Sequence, residues 1–458
     1  MDALSIIEKK RDGEILTQDE IEFFFWEYTA ERIPEYQAAG LCMAMYFQGM
    51  NVEETRSLTL AMAASGDQLD LHDSVPPGTV IVDKHSSGGV GDKTTLVAGP
   101  IAAALGLPVA KMTGRGLSYS GGTIDKMESI TGWSSEVSEE QFRKQLQEIG
   151  IVLAGQTRAL APADGKLYAL RDVIGAVPSQ PLIAASIMSK KIAAGADAIV
   201  LDVKAGCGTF MNDVGEAKIL ANLMVDIGKR VGRGMSALIS NMEQPLGRAI
   251  GNALEIKEAV QSLRGNGPPD FMELIYAVVT ELLWQSEQGK PANTHEGDMA
   301  EIDPPEDGFE PPTPELKARI DDAISSGAAL EKFKQLVQAQ GGNVKEIDRL
   351  ERLPLAPVTQ NLDASSSGWV EAINAREFGM TCVELGGGRK AKEDKIDHRV
   401  GIVLKVKVGD KVEAGQPLLE LHASDNEDAV QALVRLSKAI KILESPVEPL
   451  PVIYGRYR

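Results

Sequence analysis

Within the twelve residues KHSSGGVGDKTT (84–95) stand two lysines, a histidine, four hydroxyl side chains and three glycines. Lysine supplies positive charge, serine and threonine supply neutral donors, and a glycine-rich backbone can turn several N–H groups toward one point. Together they suit an oxyanion. Two common nucleotide-binding patterns are excluded by spacing. A P-loop needs G-x-x-x-x-G-K-[ST], but Gly91 is followed by Asp92. A dinucleotide fingerprint needs a third glycine three residues after Gly91, where Thr94 stands.

The same chemistry recurs in KMTGRGLSYSGGTIDKME (111–128), where cations, hydroxyls and glycines again follow an apolar run. Each loop needs a strand before it and a helix after it. The candidate strands are TVIVD (79–83), PVAKM (108–112), AIVLDV (198–203) and SALIS (236–240), with helical stretches such as TLVAGPIAAALG between them. A helix is expected to begin near Asp92. This alternation predicts an α/β fold with a mixed, largely parallel sheet, whose neighbouring strands would bring both loops to one ligand at their C-terminal ends.

Residues 1–70 have apolar side chains at three- and four-residue spacing, as in IEFFFWEYTAERI, and so do LYALRDVIGAV and PLIAASIMSKKIAAG. We read 1–70 and 158–192 as one discontinuous helical domain. Residues 75–157 with 193–340 form the α/β domain, and 345–458 form a C-terminal α/β lobe. Two domains crossed twice by the chain leave a cleft between them. In the lobe, GIVLKVKVGDKVEAGQPLLELHA (401–423) resembles the barrel-sandwich half of biotinyl and lipoyl domains. No lysine lies between Val412 and Ala423 to carry a prosthetic group, so the lobe is expected to be structural. Residues 291–314 hold seven acidic residues, six prolines and neither Lys nor Arg, which reads as a solvated, extended insertion.

The formal charge of −19 over 458 residues argues against a nucleic-acid partner. It leaves room for a local basic pocket that binds a small anion. No apolar run has the length a membrane helix requires, and the N-terminus shows no export signal. Three widely spaced cysteines form neither a disulfide framework nor a zinc site. A reduced, cytoplasmic protein is expected.

KHSSGGVGDKTT, TGRGLSYSGGTIDKMES, YALRD and SIMSKK together resemble the thymidine/pyrimidine-nucleoside phosphorylase family, in order and spacing, over nearly the whole chain except 291–314. The resemblance implies a homodimer that splits pyrimidine nucleosides reversibly with phosphate. The products are the free base and (2-deoxy-)α-ribose 1-phosphate. Uridine, thymidine and deoxyuridine are the implied substrates, with strict thymidine phosphorolysis as the alternative. Carried over position by position, the phosphate contacts fall on Lys84, His85, Ser86, Thr95, Lys111, Met112, Thr113 and Thr123. Other members often have serine at the places of Thr95 and Thr113. The pyrimidine contacts fall on Tyr168, Arg171, Ser186 and Lys190. Ser186 and Lys190, four apart, share a helix face, whereas Lys191 is expected to be solvated. His85, Arg171 and Lys190 are the implied catalytic residues, with His85 either bonding to the pyrimidine O2 or orienting the loop.

No cofactor is implied for this displacement, apart from a potassium ion found in some members. Its oxygens would come from Gly91, Leu246, Ala249 and Glu258. Lys93 stands where those members have a hydroxyl. Either its ammonium fills the ion's place and pairs with Glu258, or it points outward and the site persists. Tyr119 stands where many members have histidine. The rival readings are a phosphoribosyltransferase of the same architecture, an AMP phosphorylase and a binding protein without activity.

Overall fold

The computed structural model describes residues 1–116, 119, 121–155, 159–289, 306–307, 309–390 and 394–458. Four helices open the chain: α1 (Ala3–Arg11), α2 (Gln18–Thr29), α3 (Glu35–Gln48) and α4 (Val52–Ala63). Thr17 with Glu20, and Asn51 with Glu54, each form a reciprocal cap that satisfies the first free N–H groups of α2 and α4. Ile21, Phe24 and Phe25 of α2 form a core with Leu41, Met45, Leu58 and Met62. The same core takes in Leu167, Leu170, Leu182 and Ala185, from far along the chain.

Five parallel strands form the centre of the α/β domain: β1 (Val82–Ser86), β2 (Val109–Thr113), β3 (Ile151–Gly155), β4 (Ala198–Ala205) and β5 (Gly234–Asn241). Their spatial order is β3-β2-β1-β4-β5. The strand Ile453–Tyr457 adds antiparallel to β5, and Glu306–Asp307 pairs with it at the sheet edge. The sheet is therefore mixed, with a parallel centre. Helices α5 (Thr94–Ala104), α6 (Thr123–Met127) and α7 (Glu139–Ile149) connect β1 to β3. Helices α8 (Pro162–Ile174) and α9 (Gln180–Ala193) then leave the sheet and pack against α2, α3 and α4.

Three sequence expectations shift. The first strand runs Val82–Ser86 rather than 79–83, so Lys84, His85 and Ser86 belong to a strand and not to the loop. IVLAG forms β3, which was not expected. The helix after the first loop starts at Thr94, where the Asp92 carboxylate accepts from the Thr94 N–H at 3.1 Å and its hydroxyl at 2.7 Å. Most of the acidic, proline-rich stretch (291–305 and 308) lies outside the described residues.

The C-terminal lobe holds two antiparallel sheets. In one, Pro417–Ala423 lies between Gly401–Leu404 and Val358–Asp363; in the other, Gly368–Ile373 lies between Lys411–Val412 and Ile440–Leu443. The first sheet also takes in β6 (Ala249–Ile250) from the α/β domain, so Gly401–Leu404 is bonded directly to the segment after β5.

Candidate active site

β1 alternates its side chains between two faces, and each face meets buried charge. Asp83 accepts an ion pair from Lys191 at 2.7 Å and faces Lys111 at 3.5 Å. Lys84 faces Asp202 at 3.1 Å and Asp92 at 3.9 Å, while Lys204 meets Asp202 at 2.8 Å. Four lysines thus stand against the three carboxylates of Asp83, Asp92 and Asp202. Lysines outnumber carboxylates by one in this cluster, which lies under the first glycine-rich loop.

Lys191 is therefore not solvated as expected: it is 2% exposed and also donates to the Met112 carbonyl at 2.9 Å. A buried carboxylate from 108 residues away holds it there. Although burial opposes ionisation, Lys84, Lys204 and Lys126 hold the Asp92 carboxyl well below the usual carboxylate range. Burial, only partly offset by Asp83 and reinforced by Lys191, pushes the Lys111 ammonium well below the usual lysine value. Burial and the neighbouring Lys191, Lys111, Lys84 and Lys190 likewise hold His85 well below its usual value. The imidazole is neutral at pH 7 and can donate one N–H, but it carries no extra proton.

A cleft of about 490 Å³ opens at the C-terminal ends of β1, β2 and β4, where open α/β sheets bind ligands, and its size suits a small organic ligand. One wall carries His85, Ser86, Thr95, Lys111, Thr113 and Thr123; the other carries Tyr168, Arg171, Ser186 and Lys190. Lys84 and Met112 stand behind this lining, Lys84 committed to Asp202 and the Met112 carbonyl to Lys191.

The glycines shape the first wall. Gly91 has φ +74, and a Cβ there would lie 2.7 Å from the Leu246 carbonyl oxygen. A Cβ on Gly122 would meet the Gly116 nitrogen at 2.0 Å, so only glycine lets the second loop fold against itself.

On the opposite wall, Lys190 donates to the Asp164 carboxylate at 2.8 Å and to the Ser186 hydroxyl at 3.1 Å. Arg171 is 1% exposed and donates to the carbonyls of Ala176, Leu182 and Val177. Three of its five N–H groups thus fix the α8–α9 connection, and its guanidinium lies 5.8 Å from the Tyr168 ring centroid.

Sequence reasoning missed several lining residues. Asp164 sits one helical turn before Tyr168 and two before Arg171, a spacing that could have marked it. Val177, Ile183, Ile187, Phe210 and Met211 make an apolar end, and nothing in their local pattern distinguishes them from core residues.

The oxygens proposed for a potassium ion surround an ammonium instead. Lys93 Nζ lies 2.6 Å from Glu258 Oε2, 2.7 Å from the Gly91 oxygen, 3.0 Å from that of Leu246 and 3.3 Å from that of Ala249. Lys93 is 1% exposed. These residues do not fit a potassium ion, because the lysine nitrogen already occupies the centre of their oxygen shell.

Residues 78–301 match the glycosyl transferase family a/b domain, 4–66 its helical bundle domain, and 369–443 the pyrimidine nucleoside phosphorylase C-terminal domain. The pyrimidine-nucleoside phosphorylase of Staphylococcus haemolyticus (strain JCSC1435) is 50% identical over 449 residues, 98% of each chain. That of Staphylococcus aureus (strain USA300) is 49% identical over the same share. Among solved structures, anthranilate phosphoribosyltransferase from Thermus thermophilus aligns with a TM-score of 0.54 at 19% identity. The alignment covers 74% of this chain and 99% of that one, a likeness of fold alone.

Proposed function

This chain belongs to the pyrimidine-nucleoside phosphorylase family, and on that premise we propose that it catalyses the reversible phosphorolysis of uridine, thymidine and deoxyuridine. The observation that carries this reading is the two-walled cleft. Hydroxyls and the buried Lys111 line one side, with Lys84 behind them, and a lysine–serine–tyrosine face lines the other.

Phosphate would sit against Ser86, Thr95, Thr113 and Thr123, in the positive field of Lys84 and Lys111. A dianion leaving water needs several such donors at once. The pyrimidine would lie against Tyr168, with its carbonyls toward Lys190, Ser186 and Arg171. As the glycosidic bond lengthens, the sugar gains positive charge and the base negative charge. Phosphate stabilises the first and attacks C1′ from the face opposite the base, while Lys190 and Arg171 stabilise the second. His85, being neutral, would assist the departing base by donating a hydrogen bond to O2 rather than by giving up a stored proton. Closure of the helical wall on the sheet would exclude water and favour phosphate as nucleophile.

Free base released from uridine and from thymidine, each only when phosphate is present, is the expected result. Release from thymidine alone narrows the substrate to thymidine. Release without phosphate overturns the role given to the two loops.

We further propose that the enzyme needs no monovalent cation, a reading supported by the position of the Lys93 ammonium. It is also proposed to act as a homodimer in the cytoplasm. Exposed Tyr36 and Phe47 on α3 and Val173 on α8 lie on helices that pack together, and the free thiols of Cys42, Cys207 and Cys382 suit a reducing compartment. Light scattering of purified protein tests the first point: a monomer's mass at micromolar concentration would refute it. Fractionation of the source cells tests the second, with recovery outside the cytoplasm the opposing result.

A further inference from the structure

The second loop carries Thr113 and Thr123 on the cleft wall, yet its anchor comes from elsewhere in the chain. Asp125, 2% exposed, accepts the Gly116 N–H at 2.6 Å with one carboxylate oxygen. The other oxygen receives Arg389 Nη1 of the C-terminal lobe at 2.8 Å and Arg115 Nη1 at 3.3 Å. Arg115 is largely committed to Glu128, which it grips with both terminal nitrogens, at 2.5 and 2.7 Å. Arg389 is therefore the main cation neutralising Asp125, and its side chain is only 19% exposed.

The segment around Arg389 is itself fixed to the α/β domain. Asn252 donates to the Gly387 carbonyl at 2.8 Å. On the other side of the same loop, the Arg376 guanidinium lies 5.1 Å from the Tyr119 ring centroid. A Cβ on Gly379 would come within 2.5 Å of the Tyr119 carbonyl oxygen. Tyr119 in turn lies 6.0 Å from Phe210, which lines the cleft. The small cavity left between these parts, about 20 Å³, is lined by Gly116, Tyr119, Asp125 and Arg389. It has room for one water molecule and no ligand.

We infer that Arg389 is a positioning residue for phosphate: acting through Asp125, the C-terminal lobe sets the backbone of the second loop and hence the hydroxyls of Thr113 and Thr123. Among the described residues, the lobe contributes no group to the cleft itself. Its effect reaches one substrate and not the other, because the nucleoside wall is built from α8 and α9, which Arg389 does not touch. A buried carboxylate that loses its cation stops being a dependable acceptor, and the Gly116 amide is then free to drift.

This inference rests on the phosphorolysis reading, and the test separates the two. Initial rates are measured for wild type, Arg389→Met, Arg389→Lys, Asp125→Asn and the Arg389→Met/Asp125→Asn double variant, varying phosphate at saturating uridine and then uridine at saturating phosphate. We expect Arg389→Met to raise the KM for phosphate about tenfold, as loss of one charged hydrogen bond implies. The KM for uridine should stay within about twofold. Asp125→Asn should match it, the double variant should be no worse than either, and Arg389→Lys should recover most of the loss. Both KM values moving together, or kcat falling with the phosphate KM unchanged, would overturn the inference. If Arg389→Met does not fold, Asp125→Asn still decides, since a purely structural role predicts no preference for phosphate. A wild type with no phosphate-dependent cleavage refutes the proposed function instead.

Discussion

Replacing Lys93 by threonine removes an ammonium from a nearly closed shell of oxygens. Breaking a buried ion pair by deleting one partner costs about 3–5 kcal/mol, because the other charge is left behind. Here the survivor is Glu258, which still accepts the Arg248 N–H at 3.0 Å and the Ala249 N–H at 3.1 Å. Those bonds place the loss near the lower end, about 3 kcal/mol. Three carbonyl oxygens and a carboxylate 2.6–3.3 Å from the vacated point form a shell of the kind that replaces the hydration of a potassium ion. An ion that binds only the folded protein returns about 2.7 kcal/mol at about a hundred times its Kd. Saturating potassium should therefore restore most of the loss in Lys93→Thr.

Thermal unfolding and initial rates in KCl, NaCl and choline chloride at one ionic strength provide the assay. Wild type should be indifferent to the cation. Lys93→Thr should melt lower in choline and recover selectively with potassium, whereas Lys93→Met, which fills the space with an apolar chain, should not recover. Activation of wild type by potassium, or recovery equal in all three salts, would refute the reasoning.

Because Lys111 and His85 both lie well below their usual pKa values in the free protein, an arriving phosphate dianion should raise both and draw in protons. Titration calorimetry in two buffers of different ionisation enthalpy should show net proton uptake, and Lys111→Met should reduce it. His85 stays neutral in the fold while the unfolded chain protonates near about pH 6.5. Its burial therefore costs nothing above that value and erodes stability as pH falls from about 6.5 toward the depressed folded pKa. His85→Ala should flatten that part of a stability–pH profile and lower kcat by about tenfold, the loss of one hydrogen bond to the departing base. Asp164→Asn, which releases Lys190 from its carboxylate, should raise the KM for uridine several-fold and leave that for phosphate unchanged, as steady-state rates would show.

The runs PVAKM, AIVLDV and SALIS announce β2, β4 and β5 because buried parallel strands are apolar throughout. β1 is displaced because its second half reads KHS, and a lysine and a histidine argue against a buried strand. Asp202 of β4 and Asp92 of the following loop, which face Lys84, make that burial tolerable. Lys191 misleads in the same way, since its carboxylate partner is distant in the chain. The loop motifs were legible because glycines and hydroxyls at fixed spacing carry their chemistry locally. Asp164 and Phe210 were not, since an ordinary helix acid and a lone aromatic acquire a role only from what the fold sets beside them. Arg389 shows the limit most plainly: its partner Asp125 lies 264 residues earlier in the chain.

The antiparallel strand Ile453–Tyr457 has a consequence for synthesis. It covers β5, and until residues 453–457 have left the ribosome β5 presents a bare row of N–H and C=O groups, open to pairing with any other chain. β1 to β5 emerge early and can stack in order, but the sheet stays sticky on one side while roughly two hundred further residues are made. A growing chain of this kind carries an aggregation-prone edge for nearly half of its translation time, and truncations before residue 453 should accumulate as aggregates rather than as folded fragments.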